Sequence, residues 1–191
     1  MQPKRTTDYI YTYSGQVIFP PHVRIEQIKL IDIAYALSGI NRYNGHTRIS
    51  VLRHSYALSQ MFPNNLCERK YALLHDAPEA YMMDVPAPLQ VFMSSAWHET
   101  YRLFEMLIFQ KYDVNLDVIG GEVNRLDKRF VEYEMDKLES LTLSSMRYPA
   151  ERTLSNSRFD EIDRAYRWHQ SEETIRGFWL QDIRDLCRKE L

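Results

Sequence analysis

Cysteine is nearly absent from this 191-residue chain, which holds only Cys67 and Cys187. Two cysteines exclude a disulfide framework and make a reducing cytoplasm the expected setting. Long apolar runs are missing as well. None approaches the roughly 18 residues of a membrane span, so no membrane partner is expected. The stretch from Met1 to Thr7 lacks the apolar core of a signal peptide. Charge of one sign is scarce: the formal net charge is −2. That excludes a broad nucleic-acid-binding face while leaving room for a local basic pocket. There is no repeat, low-complexity tract or dividing linker. Residues 1–191 are therefore expected to form a single domain, long enough to bury a core without disulfide or metal staples.

What is present is ordinary in bulk, with 45% hydrophobic and 26% charged residues, as in a soluble globular protein. Thirteen tyrosines and three tryptophans suit either a dense core or a subunit interface. Tyr9 to Phe19 reads as a β-hairpin, its aromatic and β-branched residues flanking Ser14-Gly15 and ending at Pro20-Pro21. Apolar spacing then predicts helices over Asp32 to Ile40, Val51 to Met61 with Ser50 as N-cap, Cys67 to Asp76, Ser95 to Tyr112, and Glu122 to Leu141. Trp97, Tyr101, Phe104, Leu107 and Ile108 form the stripe of the long fourth one. Pro86 and Pro88 bracket a connection, and Gly120-Gly121 breaks the pattern. Residues 142–157 look like a loop, with closing helices over Phe159 to Trp168 and Glu172 to Cys187. The sum is an all-α bundle with a small N-terminal β-hairpin.

The chemistry centres on His75-Asp76, an imidazole beside a carboxylate at the end of the apolar stretch Leu73-Leu74. Together with His54 upstream and Asp127 downstream, it forms a nitrogen-and-oxygen set suited to a divalent cation with open positions. Each member has a plainer reading. His54 fits a hydrogen-bonded core histidine, His75-Asp76 a helix-end pair, and Asp127 a solvated charge with Asp113, Asp117 and Asp136 as competitors by spacing. A helical bundle can nonetheless bring ligands from three helices to one ion. Glu79 follows Asp76 by three and His75 by four. If helical geometry persisted past Pro78, it would share the His75 face. The plainer alternative is first-turn helix charge.

Several pieces carry a resemblance: Tyr13-Ser14-Gly15, Asp32-Ile33-Ala34-Tyr35-Ala36-Leu37-Ser38, Asn41-Arg42-Tyr43-Asn44-Gly45-His46, Ser50-Val51-Leu52-Arg53-His54-Ser55, and His75 to Leu89 with Asp84-Val85-Pro86-Ala87-Pro88. They resemble the HD-domain phosphohydrolase superfamily, in its phage and prophage branch of small nucleotide phosphohydrolases. Within that branch the chain is most similar to phage dATP triphosphohydrolases. The match is dense from residue 13 to 89, thinner to Asp127, and absent beyond about residue 140. The resemblance implies an HD-domain bundle in which His54, His75, Asp76 and Asp127 hold a divalent ion (Zn, Co, Mn or Mg). It implies a dATP or broader dNTP triphosphohydrolase releasing deoxynucleoside and triphosphate. It also implies a cytoplasmic homo-oligomer, often a hexamer, in the host cytoplasm if phage-encoded. Two alternatives stand beside it: a 5′-deoxynucleotidase acting on dNMPs, and a non-catalytic nucleotide-binding regulatory protein.

Glu79 matches an acid of the family pattern and is expected to act as general base. Arg42, Tyr43 and Gly45 match the loop that receives the base, with Arg42 offering a planar fork of donors and Tyr43 a stacking ring. Glycine at 45 has no bulk to exclude a guanine 2-amino group. Pro88 and Gln90 match the phosphate-facing run, where the family often carries lysine in place of Gln90. Glutamine supplies no charge, so either His46, Arg48, Arg53 or Lys128 takes over or the polyphosphate is held less tightly. Asp84 either orients a donor in the pocket or caps the helix near Pro86.

Overall fold

The computed structural model of the protein describes residues 8–119, 121–141 and 156–188. The chain opens with strands β1 (Ile10–Tyr11) and β2 (Val17–Ile18), paired antiparallel with Ile10 opposite Ile18 and Tyr11 opposite Val17. Gly15 makes the turn possible, since its φ of +80° is a conformation side chains resist. Asp32 then fastens the hairpin to the bundle. Its carboxylate accepts from Thr12 Oγ1 at 2.9 Å, Ser14 N at 2.6 Å and Ser14 Oγ at 2.8 Å.

The helices follow as α1 (Leu30–Gly39), α2 (Val51–Ser59), α3 (Leu66–Leu74), α4 (Glu79–Met82), α5 (Ala87–Gln90), α6 (Ser95–Lys111), α7 (Glu122–Leu141), α8 (Asn156–Ala165) and α9 (Glu172–Arg188). This is the expected all-α architecture with its hairpin. Central to it is α2, of which every residue is buried, its polar Arg53, His54, Ser55 and Ser59 all finding hydrogen-bond partners inside. Ser50 caps it as expected, accepting from Arg53 N at 3.0 Å. Around α2 pack α1, α3, α7, α8 and α9. Trp179 of α9 is fully buried, and its indole donates to Leu73 O at 3.1 Å. That bond ties the closing helix to α3 beside His75.

Three expectations change in detail. Ala87 to Gln90 forms a short helix in place of a bare connection, because prolines fit a first turn whose N–H groups have no helical partner. No side chain caps that helix, so Asp84 is not its N-cap. Helix α8 starts at Asn156, earlier than Phe159. Gly120 and the rest of the expected 142–157 loop lie outside the described residues. On α6, Phe104 and Ile108 are fully buried, Trp97, Tyr101 and Leu107 are half-buried, and Phe109 joins the core. Among the described residues no helix is long and apolar enough to cross a membrane.

Candidate metal centre

His54 sits midway along α2 and is fully buried. His75 follows the last residue of α3, its backbone N–H still bonded to Tyr71 O at 2.8 Å. Pro78, which has no N–H, then turns the chain so that α4 begins at Glu79. Asp127 comes from α7. One ligand atom each from His54, His75 and Asp76 fall within 4.8 Å of one another. His75 Nε2 lies 3.2 Å and His54 Nε2 3.8 Å from Asp76 Oδ2, while Asp127 Oδ1 lies 3.0 Å from His54 Nε2. Around an ion with bonds of about 2.1 Å, neighbouring ligands stand about 3.0–3.4 Å apart. The atoms of His54, His75 and Asp76 are therefore spaced for coordination, and Asp127 approaches them at His54 Nε2.

Hydrogen bonding gives an independent test of the fit. Among the described residues, His54 Nε2, His75 Nε2 and Asp127 Oδ1 are buried without a hydrogen-bond partner. His54 Nε2 and Asp127 Oδ1 are close but lack the alignment of a bond. Orphaned buried polar atoms are rare, and three at one point are well explained by a cation they share. Both imidazoles use the other nitrogen elsewhere: His75 Nδ1 is 2.9 Å from Ala72 O, and His54 Nδ1 is 2.8 Å from Glu134 Oε1. With Nδ1–H donated outward, each Nε2 lone pair faces the cluster. The residues fit a divalent ion.

Charge is concentrated here. Burial works against the ionised form of Asp76, but His75, His54 and Arg42 outweigh it and hold the carboxyl far below its ordinary value. Burial and Arg42 push His54 down, yet Glu134 and Asp127 prevail and raise it to about 9. Burial likewise opposes the charged His75, but Asp76 and Asp127 raise it. Glu79 differs: burial, then Asp76 and Asp84, push it up to about 10, and its Oε2 is buried with no partner among the described residues. A positive ion at the cluster reverses that electrostatic pressure on Glu79.

A cavity of about 490 Å³ reaches Asp76 and Asp127 of the cluster and is lined also by Glu79, Arg42, Tyr43 and Asp84. Its size suits a small-molecule ligand. Pro88 and Gln90 also line it, as expected. Gln90 turns its amide NH2 onto Val85 O at 2.8 Å. Arg42 is held in the wall by Glu134 Oε2 at 2.9 Å, with Asp76 3.5 Å away. Gly45 departs from expectation. It lies on an exposed turn with φ +83° and does not line the cavity. The Asn41–Ser50 bridge fixes the base of this loop, and left-handed backbone at Tyr43, Asn44 and Gly45 carries its tip outward. The alternative cations are elsewhere too. Arg53 is fixed by Glu172 Oε1 at 2.5 Å and by three backbone carbonyls. His46, Arg48 and Lys128 are exposed and outside the lining.

Glu134 escaped the sequence reading. It is fully buried on α7, and each of its oxygens takes two partners. Oε1 meets His54 Nδ1 and a short bond from the Tyr166 hydroxyl, while Oε2 accepts from Arg42 Nε and, at 2.6 Å, from Tyr43 OH. The only signal was its register with Asp127 and Phe130, which places the three on one face.

No protein-family model matches the chain. It is similar to the uncharacterized protein YfdR of Escherichia coli (strain K12), 39% identical over 84 residues. The match takes in 43% of this chain and 46% of that protein, less than half of either.

Proposed function

We propose that this chain is a metal-dependent deoxynucleotide phosphohydrolase of the HD type, with His54, His75, Asp76 and Asp127 as ligands. The observation that carries the reading is the set of buried, partnerless atoms on His54, His75 and Asp127, next to a cavity that Asp76 and Asp127 line. A divalent ion there supplies Lewis acidity toward a phosphate and lowers the pKa of a water. Glu79, whose Oε2 is buried without a hydrogen-bond partner among the described residues, takes the proton from the attacking water and returns it to the leaving oxygen. The guanidinium of Arg42 faces phosphate from a fixed position, and the Tyr43 ring offers a stacking surface to base or sugar. Asp84, which lines the same cavity, is placed to accept from a substrate hydroxyl.

The resemblance favours dATP or dNTP substrates cleaved to deoxynucleoside and triphosphate. The wall chemistry favours the second reading, a 5′-deoxynucleotidase acting on dNMPs. Among the described lining residues Arg42 is the one cation, against the acids Asp76, Glu79, Asp84 and Asp127. Each added phosphate makes that imbalance harder to meet. Turnover of dAMP and dATP, measured side by side with Mn²⁺, Co²⁺, Zn²⁺ or Mg²⁺, separates the two. Release of inorganic phosphate from dAMP supports the nucleotidase, release of triphosphate from dATP supports the triphosphohydrolase, and no turnover of any deoxynucleotide overturns both. The same reading carries a cytoplasmic homo-oligomer, with exposed Tyr11 and Tyr13 of the hairpin available as contacts.

A further inference from the structure

We propose that Glu134 is a positioning residue that fixes the tautomer of His54 and, through the same carboxylate, locks the cavity wall to the metal centre. This rests on the reading that the cluster holds a divalent ion. An ionised carboxylate accepts hydrogen bonds and donates none. Facing Glu134 Oε1 at 2.8 Å, His54 Nδ1 must therefore carry a proton, which leaves Nε2 as the ligand atom. Burial makes the choice strict, because Glu134 and His54 are both fully enclosed and neither exchanges its partner for bulk solvent. Tyr166 OH and His54 share Oε1, so the carboxylate cannot rotate away without orphaning both.

The second oxygen extends this control to the ligand side. Oε2 accepts from Arg42 Nε at 2.9 Å and from Tyr43 OH at 2.6 Å, and both residues line the cavity. One side chain on α7 thus sets a metal-ligand tautomer on α2 and the pose of the two cavity residues best suited to a nucleotide. A purely structural carboxylate would need only to balance Arg42. Four donors converging from three separate segments on a residue one layer behind the ligand indicate positioning.

The test compares Glu134→Gln with Tyr166→Phe by Zn²⁺ and Mn²⁺ titration of the full chain, with circular dichroism as the check on folding. Glutamine places an NH2 group among donors. Metal affinity is expected to fall roughly ten- to hundredfold. Tyr166→Phe leaves the carboxylate and its bond to His54 in place and should change affinity less than about threefold. If Glu134→Gln does not fold, Glu134→Asp, one methylene short of His54, is expected to weaken metal binding in the same direction. Wild-type affinity in a folded Glu134→Gln or Glu134→Asp protein overturns the positioning role and leaves the metal centre standing. Wild-type protein that binds neither ion overturns both.

Discussion

Glu79→Gln is expected to reduce deoxynucleotide turnover by at least a hundredfold, the lower end of what a positioned acid–base group contributes. The amide keeps the shape and cannot move the proton. Metal content, measured on the same sample, should stay at the wild-type level, since Glu79 serves in this reading as the base and not as a ligand. His54 governs a pH effect. In the metal-free site its imidazole sits at about 9, so an ion must displace a proton to reach Nε2. Between pH 8 and 6, competition titration should show apparent metal affinity falling by about tenfold per pH unit for each imidazole proton displaced. Stability of the metal-free fold runs the other way. A raised pKa contributes stability that is complete below the unfolded histidine value and lost as pH rises through about 9. At this scale the candidate ligand cluster was legible because His75-Asp76 stands adjacent in sequence at the end of an apolar stretch. Glu134 was not. It lies between Glu132 and Asp136 in a run of charges typical of a solvated helix face, and only the packing of α7 on α2 decides which of them is buried.

The hairpin and helix ends show what local sequence can and cannot specify. Ser50 acts through its capping hydroxyl, and Pro78 and Gly15 through their own backbone chemistry, and the elements they punctuate fall close to where the sequence places them. The start of α8 was hidden because Ser155, Asn156 and Ser157 suit a helix N-terminus as well as a loop. Gly45 lies off the cavity for a related reason: which way a loop tip points depends on the bridge at its base and the left-handed backbone at its tip together. Asp32 supplies the element-scale prediction. Replacing it with alanine removes the acceptor of three hydrogen bonds from Thr12 and Ser14 in a site 3% exposed. The substitution should cost about 2–3 kcal/mol in urea unfolding. Loss of the hairpin without loss of helical dichroism would be its signature.

At the scale of the whole molecule, one buried cluster runs from Ile18 of the hairpin through α2 to Trp179 and Leu186 of α9. It encloses His54, so the candidate metal centre is anchored in the core, with His75, Asp76 and Asp127 at its half-buried edge. The all-α class followed from apolar periodicity because each helix turns one face inward, with α2 as the exception buried on every side. What periodicity could not supply was the convergence of α2, α3 and α7 on one point. An ion bound there should stabilise the entire bundle, by about 2.7 kcal/mol at a hundredfold excess over its dissociation constant, seen as a rise in Tm. The most direct measurement is metal stoichiometry by mass spectrometry after loading with Zn²⁺ or Mn²⁺ and exhaustive dialysis, on wild type, Glu79→Gln, His75→Ala and Asp76→Ala. The account predicts a single ion per chain in the first two and none in the others. A wild-type protein without a stoichiometric ion, or a His75→Ala protein that keeps one, would contradict it.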